Sequence, residues 1–259
     1  MASSPKKKPT RSRAEEKAAQ QARREARREK AARQAEALRL EQARRKRNER
    51  LIVGGIVLAV VLAIGGVFWY QDHRADQRAN APVPENTTDG FALAVGDESA
   101  PRTVEIYEDF LCPACGNFER ATAEGLAEAA EAGRVQVRYY PFELLGRLGD
   151  YSKRSANAFG VVLDAAGPEV AKEFHDLLFE EQPDEGGDMP DDDWLVDLAV
   201  EAGAEESEVR DGIEDMEFEL WVENANEHAF DQGIQSTPTV LLDGEPFTGQ
   251  PDELLAELQ

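Results

Sequence analysis

Residues 104–115 read Val104-Glu105-Ile106-Tyr107-Glu108-Asp109-Phe110-Leu111-Cys112-Pro113-Ala114-Cys115. The apolar and aromatic residues of 103–110 predict a strand. From Cys112 to Ala132 the chain is rich in Ala and Glu and stops at Gly133, which predicts a helix. The two cysteines therefore fall where a strand ends and a helix begins. The first turn of a helix has free backbone N–H groups and a positive dipole end, and both favour an anion. Such a place lowers a thiol pKa, so Cys112 is the expected nucleophile. Pro113 fits the first turn, where its missing N–H costs nothing. Cys115 lies one turn on, more buried, as the resolving thiol. A Cys-x-x-Cys pair is also half of a zinc site. The chain has no third cysteine, and its histidines, His73, His175 and His228, are scattered singly. No metal is expected, and the two later histidines read as surface or packing residues.

Only two cysteines, three apart, close a tiny loop, so they are not a structural framework. The domain must fold on its apolar core. Charge divides the 259-residue chain sharply. Residues 1–50 hold 18 Lys and Arg against 7 Asp and Glu, whereas the remainder holds 11 against 45. A basic tail thus precedes an acidic domain. The acidic part repels phosphate and has no basic stripe, which excludes nucleic acid as its partner. Its excess fits either an ordinary acidic surface or one kept soluble in high salt.

The tail carries good helix formers without an apolar stripe. It reads as a solvated segment or as a polybasic patch against anionic lipid. Residues 51–70, LIVGGIVLAVVLAIGGVFWY, are uncharged and as long as a bilayer span requires. Trp69 and Tyr70 suit the interfacial belt. The run is too long for the core of a cleaved signal. The cluster of Arg and Lys at 44–50 holds the N-terminus in the cytoplasm. The expectation is a single-pass cell-membrane protein whose residues beyond 71 face outward. Residues 71–89, with Pro82 and Pro84, read as a linker.

Beyond it, the pattern gives short strands at 91–95 and 103–110, the helix from Cys112, a strand at 135–140 and a mostly helical block at 152–232. That block is broken at Gly167-Pro168 and by an acidic loop, 180–193, which lacks the spacing of a calcium loop. A strand at 239–242, a turn at Asp243-Gly244 and a helix at 252–258 close the domain.

Two stretches carry a family resemblance. Gly96-Asp97, Ala100-Pro101 and residues 104–115 resemble the start of DsbA-like thioredoxin-fold proteins. Gly233-Ile234-Gln235-Ser236-Thr237-Pro238-Thr239-Val240, followed by Phe247-Thr248-Gly249, resembles the cis-proline segment of that family. The resemblance covers residues 90–259. It implies an α/β thioredoxin-like fold with a helical insertion, and a cis Thr237–Pro238 bond opposite the Cys112–Cys115 pair. Thr237 would border the sulfurs. Proline lacks an N–H, which leaves neighbouring backbone groups open to an incoming strand.

Many relatives place a buried acid six residues before the first cysteine, as proton acceptor for the resolving thiol. Here that position is Ile106. By strand alternation Val104, Ile106, Glu108 and Phe110 share a face. Glu108 is therefore either the acceptor or a solvated residue at a strand end. Ala114 offers the thiolate no side-chain hydrogen bond. The resemblance implies a thiol–disulfide oxidoreductase with no cofactor beyond its redox-active disulfide. Its expected substrates are extracytoplasmic protein thiols, and its expected partner is a membrane quinone-linked thiol oxidase. A reductase or isomerase of the same fold is the alternative. A non-catalytic chaperone or receptor is the second, and it would not need the cysteine pair.

Overall fold

The computed structural model describes residues 13–259; the first twelve residues of the basic tail lie outside them. The chain divides into two compact units, Met1–Asp72 and His73–Gln259. In the first, helix α1 (Arg13–Ala79) carries the apolar run. The large apolar side chains of Leu51 to Tyr70 are all more than half exposed. The helix is long and apolar enough to cross a membrane, and lipid is the solvent that suits such a surface.

Helix α1 does not stop at the aromatic belt. It continues to Ala79, nine residues into the stretch expected to be linker. Within the second unit, Arg74 pairs with Glu223 at 2.5 Å and Arg78 with Glu227 at 3.1 Å. Asn224 donates to the Arg78 carbonyl. These partners lie 146 to 149 residues away in sequence, so no local pattern announces them. The rest of the expected linker is largely exposed but anchored at points: Pro84 is buried, and the Glu85 N–H donates to Asp164. A Cβ on Gly160 would meet Pro84 and Trp221 at 3.3 Å, so the segment packs closely on α3 and Trp221 here.

The second unit is built on a five-stranded sheet. Its strands are β1 (Leu93–Val95), β2 (Arg102–Glu108), β3 (Val135–Pro141), β4 (Thr239–Leu242) and β5 (Glu245–Phe247), in the order β1-β3-β2-β4-β5. The centre, β2, pairs parallel with β3 and antiparallel with β4, with Ile106 opposite both Tyr139 and Val240. Parallel neighbours need a crossover, and α2 (Pro113–Glu131) supplies it. It ends where Gly133 takes φ +69° and closes the last turn onto Ala130. Asp243 and Gly244 take φ +55° and +82°, as the two-residue turn between β4 and β5 requires.

Both faces of the sheet are covered. Val104, Ile106, Val137 and Tyr139 join the core that α2, α3 (Tyr151–Glu180) and α7 (Pro251–Glu257) complete. On the other face Tyr107 stacks on Tyr140, under Ala225 and Ala229 of α6 (Glu219–Asp231). The helical insertion comprises α3, α4 (Asp192–Glu201), α5 (Glu206–Glu214) and α6. Helix α3 is interrupted at Gly167, whose φ of +84° precedes Pro168.

The turn from β2 into α2 hangs on Asp109. Its carboxylate is fully buried and accepts from the N–H groups of Leu111, Leu144 and Leu145, each at 2.8 Å. Burial raises its pKa, and these hydrogen bonds oppose the rise. Asp109→Ala strands three donors, two of them buried, which should cost about 3 kcal/mol. Denaturant unfolding of the full chain measures this, and a loss below about 1 kcal/mol would show that the turn stands without the carboxylate.

Candidate active site

Cys112 occupies the N-cap of α2, with extended backbone (φ −76°, ψ 114°) and Pro113 in the first turn. Its N–H donates to the Asp109 carbonyl at 2.9 Å. Both cysteines are reduced; Cys112 keeps 8% of its surface exposed and Cys115 none. The Cys115 thiol donates to the Cys112 sulfur and lowers its pKa to about 6; burial opposes this, and Thr237 with the N–H groups of Cys115 and Ala114 assists. The backbone thus supplies what Ala114 lacks as a side chain. Burial pushes the Cys115 thiol far up, and its hydrogen bond to Cys112 and the charges of Glu108 and Cys112 push it further.

The Thr237–Pro238 bond is cis. The Thr237 carbonyl oxygen accepts from the Cys112 sulfur at 3.5 Å. Thr237 thus borders the sulfur through its backbone oxygen and through the side chain that helps lower the Cys112 pKa.

Glu108 is fully buried, which overturns its reading as a solvated strand end. Val104, Ile106 and Phe110 are buried with it, as alternation requires. One Glu108 oxygen meets His175 Nε2 at 2.6 Å, and the other has no partner. His175 is equally buried, so its surface reading is also corrected. It packs among Phe110, Phe179 and Tyr139, and its Nδ1 meets Asp176 at 2.9 Å. Burial lowers the His175 pKa, but the Glu108 charge and the two hydrogen bonds outweigh it and raise the net value to about 9. His228 stacks on Phe91, in keeping with a packing role.

Three residues of this neighbourhood escaped the sequence reading. Glu119, on α2, is buried with both carboxylate oxygens unpartnered. Burial, then the charge of Glu108, raises its pKa to about 8 against the pull of His175 and Lys172, so it is protonated at neutral pH. Asp109 is the second. Gln182, in the acidic loop, is the third: its amide donates to the carbonyls of Phe110 and Cys112 at 2.8 and 3.0 Å. Gly116 makes room for it, since a Cβ there would lie 2.5 Å from the Gln182 oxygen. Glu119, His175 and Asp176 bring potential metal-binding atoms within 4.8 Å of one another. Both imidazole nitrogens are already engaged and Lys172 holds Asp176, so the cluster fits protons better than a metal.

A family model described as thioredoxin matches residues 88–258, two thirds of the chain. The chain belongs to the thioredoxin family. Within it, the structural neighbours are DsbA-like thiol–disulfide oxidoreductases. The reduced disulfide bond oxidoreductase DsbG of Mycobacterium tuberculosis is 32% identical with a TM-score of 0.59, over 66% of this chain and 88% of that one. The oxidised DsbA of the same organism is 32% identical with a TM-score of 0.57, over 64% and 90%. The serine/threonine-protein kinase PknE of M. tuberculosis is 30% identical over 142 residues, 49% of this chain and 25% of that protein. The chain thus spans about a quarter of the length of this curated relative.

Two measurements probe the site. In the reduced protein, alkylation of Cys112 by iodoacetamide should reach half its limiting rate near pH 6, with Cys115 unmodified; a midpoint near the ordinary thiol value would contradict the geometry. In the disulfide form the buried cluster sets the alkaline stability. Glu119 and His175 both bind protons more tightly folded than unfolded, so the stability they give is present at low pH and lost as pH rises. For Glu119 the loss builds from about 4.5 to about 8, for His175 from about 6.5 to about 9. Glu119→Gln should match the wild-type Tm near pH 4.5 and exceed it above pH 8, and a constant offset across that window would refute the assignment.

Proposed function

We propose that this protein is an extracytoplasmic thiol–disulfide exchange enzyme that oxidises dithiols in secreted or surface proteins. The observation that carries the reading is the divergence of the two thiols: a Cys112 sulfur stabilised as thiolate at a helix start, against a Cys115 thiol driven up by burial. A pair divided this way has one nucleophile or leaving thiolate and one protected resolver. In the oxidising direction a substrate thiolate attacks the Cys112 sulfur of the disulfide, and the S–S electron pair leaves on Cys115. A second substrate thiolate then attacks the mixed disulfide, and its bond pair leaves on Cys112. The substrate is oxidised by two electrons and the enzyme reduced by two. Pro238 offers no N–H, and the adjoining backbone receives the substrate strand. Glu108, with one free oxygen in the charge environment of Cys115, serves as its proton acceptor and donor.

A stabilised Cys112 thiolate favours the reduced enzyme, which makes its disulfide an oxidant. The basic cluster before residue 51 supports a cytoplasmic N-terminus and an outward domain, where a disulfide can be maintained. A membrane quinone-linked thiol oxidase would then take the two electrons. The competing reading, a reductase or isomerase, draws on the Thr237 hydroxyl beside the sulfurs.

Two experiments test the proposal. Equilibration with glutathione buffers should give a potential well above about −270 mV, toward about −120 mV; a value at or below the former assigns the protein to the reductases. In cells, Cys115→Ser should accumulate mixed disulfides with outer proteins while Cys112→Ser accumulates few, and equal trapping by both would contradict the roles given to them.

A further inference from the structure

Cys115 is fully buried, yet every cycle of exchange requires its sulfur to gain and lose a proton. The structure offers a line of groups from this interior to water. Glu108, at the end of β2, meets His175 Nε2 at 2.6 Å, and His175 Nδ1 meets Asp176 at 2.9 Å. Lys172, one turn earlier on α3, holds both Asp176 oxygens, at 2.5 and 2.7 Å. Asp176 and Lys172 line a cavity of about 250 Å³, walled also by Glu124, Ala127 and Tyr139. Glu108 and His175 are sealed from solvent, whereas the Asp176 side chain is 41% exposed.

We infer that Glu108, His175 and Asp176 form a proton path between the Cys115 sulfur and the water of this cavity, with Lys172 fixing its outer end. This inference rests on the thiol-exchange reading above and extends it from Glu108 to two residues of the helical insertion. When Cys115 must become a nucleophile, its S–H proton passes to the free oxygen of Glu108 and the bond pair stays on sulfur. The protonated imidazole of His175 releases its Nδ1 proton to Asp176 and so to water. One proton enters the line and one leaves it. The remaining neutral pair, the Glu108 carboxylic acid and the His175 imidazole, holds the proton that Cys115 needs when it next leaves as thiolate, and water resupplies His175 through Asp176. His175 and Asp176 act through Glu108 and are positioning residues.

The other groups facing His175 suit this arrangement. From α2, Glu119 is neutral at pH 7 and adds no competing carboxylate. From β3, Tyr139 stays protonated, its hydroxyl pKa raised by burial. Lys172, 4.9 Å from the centre of the Tyr139 ring, is the remaining cation. It balances Asp176 and leaves the imidazolium to Glu108.

The test separates the two chemical steps at the cysteines. The reduced full chain, in detergent, is mixed with oxidised glutathione. Formation of the mixed disulfide at Cys112 is second order, and its resolution by Cys115 is first order. Asp176→Asn, at the cavity rim, and His175→Gln, in the interior, should leave the first rate constant unchanged. Both should slow the second by about a hundredfold near pH 7, the lower end of what a positioned acid–base group contributes. Added imidazole, which can reach the cavity, should restore resolution in Asp176→Asn. Resolution at the wild-type rate in Asp176→Asn, an equal loss of both rate constants, or a slowed resolution that imidazole does not restore would overturn the path. Failure of wild-type Cys112 to react with oxidised glutathione would instead sink the thiol-exchange reading itself.

Discussion

The carboxylate of Asp109 is the constraint on which the site depends. A strand that stops and a helix that starts within four residues must turn sharply, and the turn leaves N–H groups inside the protein. Asp109 satisfies three of them, two from the segment after β3, so the ends of two adjacent parallel strands are tied at one point. Cys112 then lands at the N-cap because its own N–H closes the same turn onto the Asp109 carbonyl. The thiolate owes its stability first to the Cys115 thiol one turn on, then to Thr237 and to the N–H groups of Cys115 and Ala114.

Around that turn the protein buries an unusual amount of charge for a domain whose surface is already strongly acidic. Glu108, Glu119 and Asp109 are all at most 3% exposed, and His175 is fully enclosed. Isolated buried charges are costly, so each must be neutralised or paired. Asp109 has backbone donors, Glu108 has the imidazolium, and Glu119 keeps its proton. Three carboxyl groups of the same chemistry thus sit in different states within one core.

Much of this was legible in the sequence because it is local. The Cys-x-x-Cys spacing with Pro113, the Gly133 stop, the Asp243-Gly244 turn and the alternation through Val104, Ile106, Glu108 and Phe110 each depend on residues a few positions apart. What stayed hidden depends on pairs far apart in the chain. Glu108 and His175 are 67 residues apart, Gln182 and Cys112 70, Arg74 and Glu223 149. No periodicity relates such positions, and a histidine or glutamate on a helix reads as solvated until its neighbours are known. Glu119 was hidden for a related reason: in a helix rich in Ala and Glu, nothing distinguishes the one glutamate that faces inward.

Gln182 gives the helical insertion a significance of another kind. Its single amide grips the carbonyls of Phe110 and Cys112 at the entry to the cysteine loop, and it reaches them from the end of α3. His175 comes from the same helix. The insertion is therefore not an ornament on a self-sufficient minimal fold. For protein engineering, this active site cannot be transplanted as a strand, a Cys-x-x-Cys turn and a proline alone. A graft that omits α3 would carry the sulfurs without the groups that set their shape and their protonation, and insertions from other family members would be interchangeable only where they return an amide and an imidazole to the same two points.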